Sequence, residues 1–458
     1  RVRAYKPKVK TGCITCRIRR VKCDEEKPNC RRCTSTGRKC DGYLTPASSL
    51  NNSSPLQKIS HSPDPQPLES KLEGRYFDFF CKRTVVIFSG IFDPTVWTRL
   101  IVQATHHEPA IRHAAIALGA LHESSEVGSR AEPSIFAMEQ YGKAIRYLVK
   151  PIREKQKQAA DVALMTCVLF VCFEMMRGSY GTAISHIDSG VKIISELQPS
   201  NKPTETWSVS TIPYAEPSVL HPIFIRLDRQ VSEIASGRKR VLLDQILEDK
   251  AAGYHEDIPL VFSSLEQARN SLEHIRTFEM RFVRSATSQP SFSDPVKRSL
   301  MLDISRSLSF IHLQKWSTAF NSFIQNTTDF DVASQEAIHV LKMHRLVMGI
   351  AMVVDGERSY ADPTIWDQNK PQFESIISHA TSVYELYIRS CEKEGRKRTI
   401  FYLDSGINYP LFFVAAACRD GAIRWKAIEL LKAMNRQEGL SNSLLSAKIV
   451  EHMASIEE

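Results

Sequence analysis

The sequence predicts a chain in two parts, a small module held together by bound metal and a large all-α domain. Six of the 11 cysteines lie between positions 13 and 40, whereas the other five are scattered through apolar segments. From about residue 68 to the end, apolar residues recur with helical spacing and alternating strand patterns are scarce. At 458 residues, the chain is too long for one ordinary domain.

Positive charge is concentrated in the cysteine-rich module. The whole chain has a net charge of +9. Residues 1–43 hold 14 Lys and Arg against four acidic residues, and the rest of the chain is almost balanced. Basic residues interleaved with a cysteine framework indicate an ordered module that binds a polyanion, with nucleic acid as the first candidate. A solvated basic tail is the other interpretation of such a run.

Two apolar features bear on the compartment. The first ten residues lack the apolar segment of a secretory signal peptide, so the clustered cysteines are expected to bind metal rather than to form disulfides. The longest apolar stretch, residues 162–173, is too short to span a bilayer and predicts a buried helix. We therefore expect a soluble protein with no membrane partner.

A linker and a helical domain follow the module. Residues 44–67 contain five Pro and six Ser without apolar periodicity, which predicts a flexible linker, and no heptad repeat marks a coiled coil there. Residues 68–458 are predicted to form the all-α domain, with a helix over residues 107–122 that tolerates Pro109 in its first turn. Loops are predicted at residues 199–217, 253–259 and 285–295. Two amphipathic stripes are predicted, one of Ile184, Ile187, Val191 and Ile194 and one of Leu265, Ala268, Leu272, Ile275 and Phe282.

The spacing of the six cysteines is that of a zinc site. The pattern Cys-x2-Cys-x6-Cys occurs in residues 13–23 and again in residues 30–40. Zinc takes four ligands and favours thiolates, so two separate sites would need eight cysteines. No histidine precedes His61 to complete them. If two zinc ions share two bridging thiolates, six cysteines give each ion four ligands.

The residues of three stretches, CITCRIRRVKC from position 13, KPNCRRC from position 27 and GRKC from position 37, resemble the fungal binuclear zinc cluster family of transcription regulators. The resemblance implies a nuclear, zinc-dependent regulator that binds double-stranded DNA at RNA polymerase II promoters. It also implies the ligand set. Cys13 and Cys30 would bridge the two zinc ions, Cys16 and Cys23 would complete one site, and Cys33 and Cys40 would complete the other.

The same resemblance assigns the basic residues. A helix after the first cysteine pair, at about residues 17–22, would enter the major groove. Arg20 would read a guanine of a CGG-type triplet, which suits the bidentate geometry of Arg, with Arg19 beside it. Arg17, Lys22 and Lys39 are the candidates for phosphate contacts, which position the module without reading sequence.

The large domain carries a second resemblance, to the fungal-specific regulatory domain that follows such clusters. The stretches that carry it are residues 108–122, 141–145, 163–177 and 264–269. The resemblance implies regulatory and interaction roles, with co-regulators or the transcription machinery as partners. A homodimer through the helical domain and a monomer that reads one triplet both remain open.

No catalytic constellation is evident. The chain has no P-loop, G-x-G-x-x-G, G-x-S-x-G or H-E-x-x-H motif. His106, His107 and Glu108 are predicted to be polar residues at a helix start, and Cys167 and Cys172 to be buried structural thiols. Glu174 is predicted at a helix end or interface, with a pocket carboxylate as the alternative.

Three function classes remain at this stage. A sequence-specific DNA-binding regulator accounts for both the cysteines and the charge. A zinc-stabilised protein-interaction module would not need ten net positive charges among its ligands, and an enzyme with an appended zinc domain lacks catalytic residues. Steep weakening of binding with added salt would separate the first two classes.

Overall fold

The computed structural model describes residues 12–19, 21–40, 42, 70–90, 92, 95–126, 135–154, 156–197, 207–208, 217–234, 258–288, 294–354, 362–395 and 400–457. The predicted linker, residues 44–67, lies outside these described residues. The chain divides into two compact units, residues 1–62 and residues 63–458, and each is described here by itself. The domain limits at residues 43 and 67 stay predictions.

The small unit contains two short helices, each beginning beside a cysteine that caps it. The first, α1, is Ile14–Ile18, and the second, α2, is Arg31–Thr34. The Cys13 sulfur accepts from the backbone N–H of Cys16 (3.4 Å), and the Cys30 sulfur accepts from that of Cys33 (3.3 Å). These bonds satisfy N–H groups that a helix start leaves without a partner.

The helix predicted at about residues 17–22 was placed too late. Helix α1 begins within the first cysteine pair and ends at Ile18. The Val21 N–H donates to the carbonyl of Cys16 (3.1 Å), and the chain then turns back until the Cys13 N–H meets the Cys23 sulfur at 3.4 Å. A helix continued to residue 22 would carry Cys23 away from Cys13, and this is why it stops early.

The large unit is built from helices, which confirms the all-α prediction. Within the described residues its α-helices are α3 (Lys71–Phe79), α4 (Val85–Phe88), α5 (Val102–Thr105), α6 (Pro109–Glu126), α7 (Ile135–Arg153), α8 (Ala160–Met176), α9 (Tyr180–Glu196), α10 (Pro217–Ile234), α11 (Leu265–Ser288), α12 (Pro295–Asn326), α13 (Val332–Val353), α14 (Lys370–Glu394), α15 (Asn408–Ala417), α16 (Gly421–Met434) and α17 (Ser443–Glu457). A π-helical turn, Phe80–Thr84, joins α3 to α4, and a second, Val96–Ile101, leads into α5. A 3-10 helix, Pro363–Asn369, precedes α14.

Five very short strands accompany the helices. Strand β1 (Gln158–Ala159) pairs in parallel with β2 (Trp207–Ser208), with Gln158 opposite Trp207. Strand β4 (Arg436–Glu438) lies between β3 (Ile400–Tyr402), its parallel neighbour, and β5 (Ser441–Asn442), its antiparallel neighbour. Strand β2 falls inside the loop predicted over residues 199–217, and α11 continues four residues into the loop predicted from residue 285. Strands of two or three residues are too short to produce a visible alternation in the sequence.

Helix α8 forms the centre of the N-terminal core. Every residue from 160 to 175 is buried, as its continuous apolar sequence predicts. Helix α9 packs on it through the predicted stripe, where Ile187, Val191 and Ile194 are buried and Ile184 is partly buried. In α11, Ala268, Leu272 and Ile275 of the second predicted stripe are buried and Leu265 is partly buried, while the side chain of Phe282 lies outside the described residues. None of the described helices is both long and apolar enough to cross a membrane.

Gly190 allows α9 and α10 to approach closely. A Cβ atom at this position would lie 1.9 Å from the ring of Phe224, which is fully buried on α10. Gly181 lies on the same helix, and a Cβ atom there would meet nothing within 4 Å. The two glycines therefore differ in packing although they share one helix.

We expect Gly190→Ala to destabilise the large unit by about 1–3 kcal/mol, because the methyl group displaces the Phe224 ring from a packed core. Gly181→Ala is the matched control and should stabilise by up to about 1 kcal/mol through helix propensity alone. Urea unfolding followed by far-UV circular dichroism measures both midpoints. Equal shifts for the two variants would contradict the packing argument.

Candidate metal centre and nucleic-acid interface

The sulfur atoms of the six clustered cysteines converge in the small unit. Cys13 and Cys30 lie at the centre, with their sulfur atoms 3.5 Å apart. The Cys16 sulfur is 3.7 Å from that of Cys30, and the Cys33 sulfur is 3.9 Å from that of Cys13. Cys13, Cys16, Cys30 and Cys33 are fully buried, so the only described core of this unit is its sulfur cluster.

Two sets of four sulfur atoms have the dimensions of tetrahedral zinc sites. Within each set the four atoms lie within 4.8 Å of one another. One set is Cys13, Cys16, Cys23 and Cys30, and the other is Cys13, Cys30, Cys33 and Cys40. A tetrahedron with zinc–sulfur bonds of about 2.3 Å places its sulfur atoms about 3.8 Å apart, close to the distances found. Cys13 and Cys30 are the two residues that both sets contain.

Burial makes these thiols unfavourable as anions unless a cation is beside them. Burial raises the pKa of Cys13 to about 12, and it raises the pKa of Cys16 and of Cys30 as well. Backbone hydrogen bonds from Cys30 and Gly42 lower the pKa of Cys40. A zinc ion supplies the positive charge that stabilises thiolates in this environment, so the donor set fits zinc.

Asp24 positions the second half of the module, a role that the sequence analysis missed. Its carboxylate accepts from the N–H groups of Arg31 (3.2 Å) and Arg32 (2.8 Å) at the start of α2 and from that of Glu26 (3.2 Å). Burial raises its pKa, but these backbone donors outweigh burial and lower the pKa overall. An acidic residue directly after the third cysteine of each half, Asp24 and Asp41, was the signal available in the sequence; Asp41 lies outside the described residues.

The structure places the predicted DNA contacts unevenly. Lys22 and Lys39 are exposed, and each directly precedes the last cysteine of its half. Arg19 follows α1 and is half-buried, and its Nη1 atom donates to no acceptor among the described residues. Arg20 and the side chain of Arg17 lie outside the described residues.

Further exposed cations surround the same cluster and were not assigned from the sequence. Lys27, Arg31, Arg32 and Arg38 are exposed. Arg31 is partly neutralised by Glu26, with Nε and Oε2 2.7 Å apart, and both side chains face solvent. The sulfur cluster thus carries a surface on which cations outnumber acids, the condition for contact with nucleic-acid phosphates.

The residues singled out in the large unit have structural roles. Cys167 and Cys172 are buried in α8, as predicted, and burial raises the pKa of Cys167 to about 12. Glu174 lies near the end of α8, as predicted, but it is also buried, and its Oε2 atom accepts from Arg177 Nη1 (3.1 Å). His106 to Glu108 connect α5 to α6, where Arg112 donates to the carbonyls of Thr105 and His106.

Comparison with known proteins agrees with both parts of the structure. Residues 11–49 match the fungal Zn(2)-Cys(6) binuclear cluster domain, and residues 75–242 match the fungal specific transcription factor domain. A relative from Emericella nidulans, the aspercryptin biosynthesis cluster-specific transcription regulator, is 27% identical over 98% of this chain and 87% of its own length. A transcription regulator of Purpureocillium lilacinum is 31% identical over 40% of this chain and 49% of its own length. No solved structure matches the chain.

A zinc-binding module rich in exposed cations, followed by a helical domain of this kind, defines a DNA-binding regulator of transcription. The chain belongs to the fungal Zn(2)-Cys(6) binuclear cluster family and carries the fungal specific transcription factor domain. Its relatives are named as transcription regulators, and it is accordingly a regulator and not an enzyme.

Zinc removal should unfold the small unit and leave the large unit intact. A module of this size buries too little apolar surface to fold by itself, and structural zinc contributes on the order of 10–16 kcal/mol. Hydrogen-exchange mass spectrometry of the full chain should therefore show loss of amide protection in α1 and α2 after chelation, with α8 unchanged. Added zinc should restore protection, and protection that survives chelation would contradict a metal-dependent fold.

Proposed function

We propose that the chain holds two zinc ions in one shared-ligand cluster. Cys13 and Cys30 bridge both ions, Cys16 and Cys23 complete the first site, and Cys33 and Cys40 complete the second. The two overlapping four-sulfur sets support this assignment, because the described part of the small unit offers only six sulfur atoms and two of them belong to both sets. The cluster of two zinc ions and six thiolates has a net charge of about −2, which the surrounding arginines and lysines offset.

Substituting a bridging cysteine should reduce the number of bound zinc ions more than substituting a terminal one. Cys40→Ser removes one sulfur from one set and should reduce the content from two ions to one. Cys30→Ser removes a sulfur from both sets and should leave none. Native mass spectrometry counts the ions, with Cys81→Ser as a control that keeps both. Two zinc ions in Cys30→Ser would contradict the bridging role.

We further propose that the chain is a sequence-specific transcription factor that acts in the nucleus at RNA polymerase II promoters. The observation that carries this proposal is the placement of exposed basic side chains around a zinc-ordered core. Arg20 reads a guanine of a CGG-type triplet with Arg19 beside it, and Arg17, Lys22 and Lys39 contact phosphates. Two copies pair through their helical domains, which also contact co-regulators.

A residue that reads a base and a residue that contacts a phosphate should lose DNA affinity in different ways when they are substituted. Arg20→Ala should weaken binding to the preferred site by about 1–3 kcal/mol and relax the base preference at one position. Lys39→Ala is the matched control and should weaken all sequences alike while lowering the salt slope by about one. Selection of sites from random DNA with the full chain, followed by titrations at several salt concentrations, measures both effects. A uniform loss in Arg20→Ala would reassign this residue to a phosphate contact, and binding that does not respond to salt would favour a protein-interaction module.

A further inference from the structure

Helix α12 carries apolar side chains on opposite faces in its two halves. From Leu313 onward its inner face enters the core, where Leu313, Trp316 and Phe320 are almost fully buried. In its first half the pattern is inverted, because the inner face there carries Ser305 and Ser309, both buried. The outer face of that half carries large apolar side chains.

The outer apolar residues form one continuous stripe, called here the α12 stripe. Its members, all exposed, are Val296, Leu300, Ile304, Leu308, Phe310 and Ile311. Val296, Leu300 and Ile304 recur every four residues, and Ile311 follows one heptad after Ile304, so these four share one side of the helix. Val296 is 74% exposed and Leu300 is 58% exposed. Leu308, at 36%, is the least exposed member, and beyond Ile311 the same face becomes polar at Gln314 and Thr318.

The exposed apolar area of the stripe is comparable to the apolar centre of a protein–protein interface. Its exposed side chains present on the order of 500 Å² of apolar surface, near the upper limit for one patch on a monomer. A standard protein–protein interface buries about 800 Å² on each partner, and its buried centre is mostly apolar. One helix face of about 22 Å from Val296 to Ile311 therefore supplies most of the apolar centre that a stable dimer needs.

The stripe is also complementary to itself. A two-fold axis that passes beside Ile304 runs two copies of α12 antiparallel. Leu300 then lies opposite Leu308 of the partner subunit, and Val296 lies within one residue of Ile311 of the partner subunit. Asp303 and Ser307 are exposed on the same face and interrupt the apolar contact near the axis, and apolar side chains face each other on either side of them. A closed two-fold pairing of this kind uses the same patch on both copies.

We propose that the α12 stripe is the surface through which two copies of this chain pair, antiparallel, with Ile304 beside the axis. The inference rests on the homodimer of the proposed function and identifies the α12 stripe as its interface. A different protein, or a segment of this chain outside the described residues, would cover the stripe without giving a two-fold contact between copies.

Cysteine cross-linking of the zinc-loaded full chain tests the register. In a Cys81→Ser background, Ile304→Cys places two thiols next to each other across the axis and should form a disulfide-linked dimer under mild oxidation. Val296→Cys places them about 24 Å apart along the helix axis, far beyond the reach of a disulfide, and should not cross-link. Cross-linking of both variants would indicate parallel pairing, and cross-linking of neither would overturn the proposal.

Solution mass provides the second readout. The wild-type chain should sediment as a dimer and Ile304→Glu as a monomer with an unchanged circular dichroism spectrum. An equimolar mixture of Ile304→Glu and Ile304→Lys should regain the dimer, because opposite charges then meet at the axis. Ile135→Glu, at an 81% exposed position on α7, is the control and should remain dimeric.

The same samples separate this proposal from DNA binding. Ile304→Glu should keep the wild-type affinity for DNA with one triplet and lose at least tenfold on DNA with two. A wild-type monomer that still binds one triplet would overturn the α12 interface while leaving the DNA-reading function in place. A dimer that persists in Ile304→Glu would place the pairing surface elsewhere on the chain.

Discussion

Both units of this protein bury groups that are stable as ions only beside an opposite charge. The interior of a protein solvates charge poorly, so an unpaired buried ion is strongly destabilising. In the small unit the groups are cysteine sulfurs, fully removed from water at Cys13 and Cys30, and zinc provides the compensation. This explains why the module needs no apolar core, and why its two helices begin at the cysteines themselves.

In the large unit the buried ions are arginines and carboxylates. Asp404 lies between Arg226 and Arg269, with N–O distances of 2.5 and 3.0 Å. Burial raises the pKa of Asp404, and the two arginines lower it further than burial raises it. Glu438 is fully buried and accepts from three backbone N–H groups at the start of α15, those of Gly406, Ile407 and Asn408. The Asp404 ion pairs join the segment after β3 to helices α10 and α11, and the Glu438 hydrogen bonds join β4 to the start of α15.

The sequence predicted what depends on local spacing. Cysteine spacing identified the metal module, the longest apolar stretch identified α8, and helical periodicity identified the buried stripe of α9. The start of α1 could not be read from spacing, because it depends on a sulfur cap and on the return of the chain to Cys13. Arg226 and Asp404 are 178 residues apart, so nothing in the sequence marks them as partners. The α12 stripe escaped notice for a different reason. A helix with two apolar faces shows no single stripe, and only the structure separates the side that packs from the side that remains exposed.

Pairing through α12 would answer a requirement that the zinc module cannot meet alone. A module that reads a single triplet, as proposed, would meet that triplet about once every 32 base pairs of duplex, far too often to single out a promoter among competing sites. Two modules on one dimer bind as a unit, because the second contact is intramolecular and its effective concentration is set by the linker. A flexible chain of 24 residues, the predicted length of the linker, has a mean end-to-end distance of about 25–30 Å. If residues 44–67 form the predicted flexible linker, two of them would span one helical turn of DNA, about 34 Å. Dimerisation through the helical domain would then set the number of triplets that one dimer binds, which is two. The linkers and the intervening DNA would set the number of base pairs between those triplets.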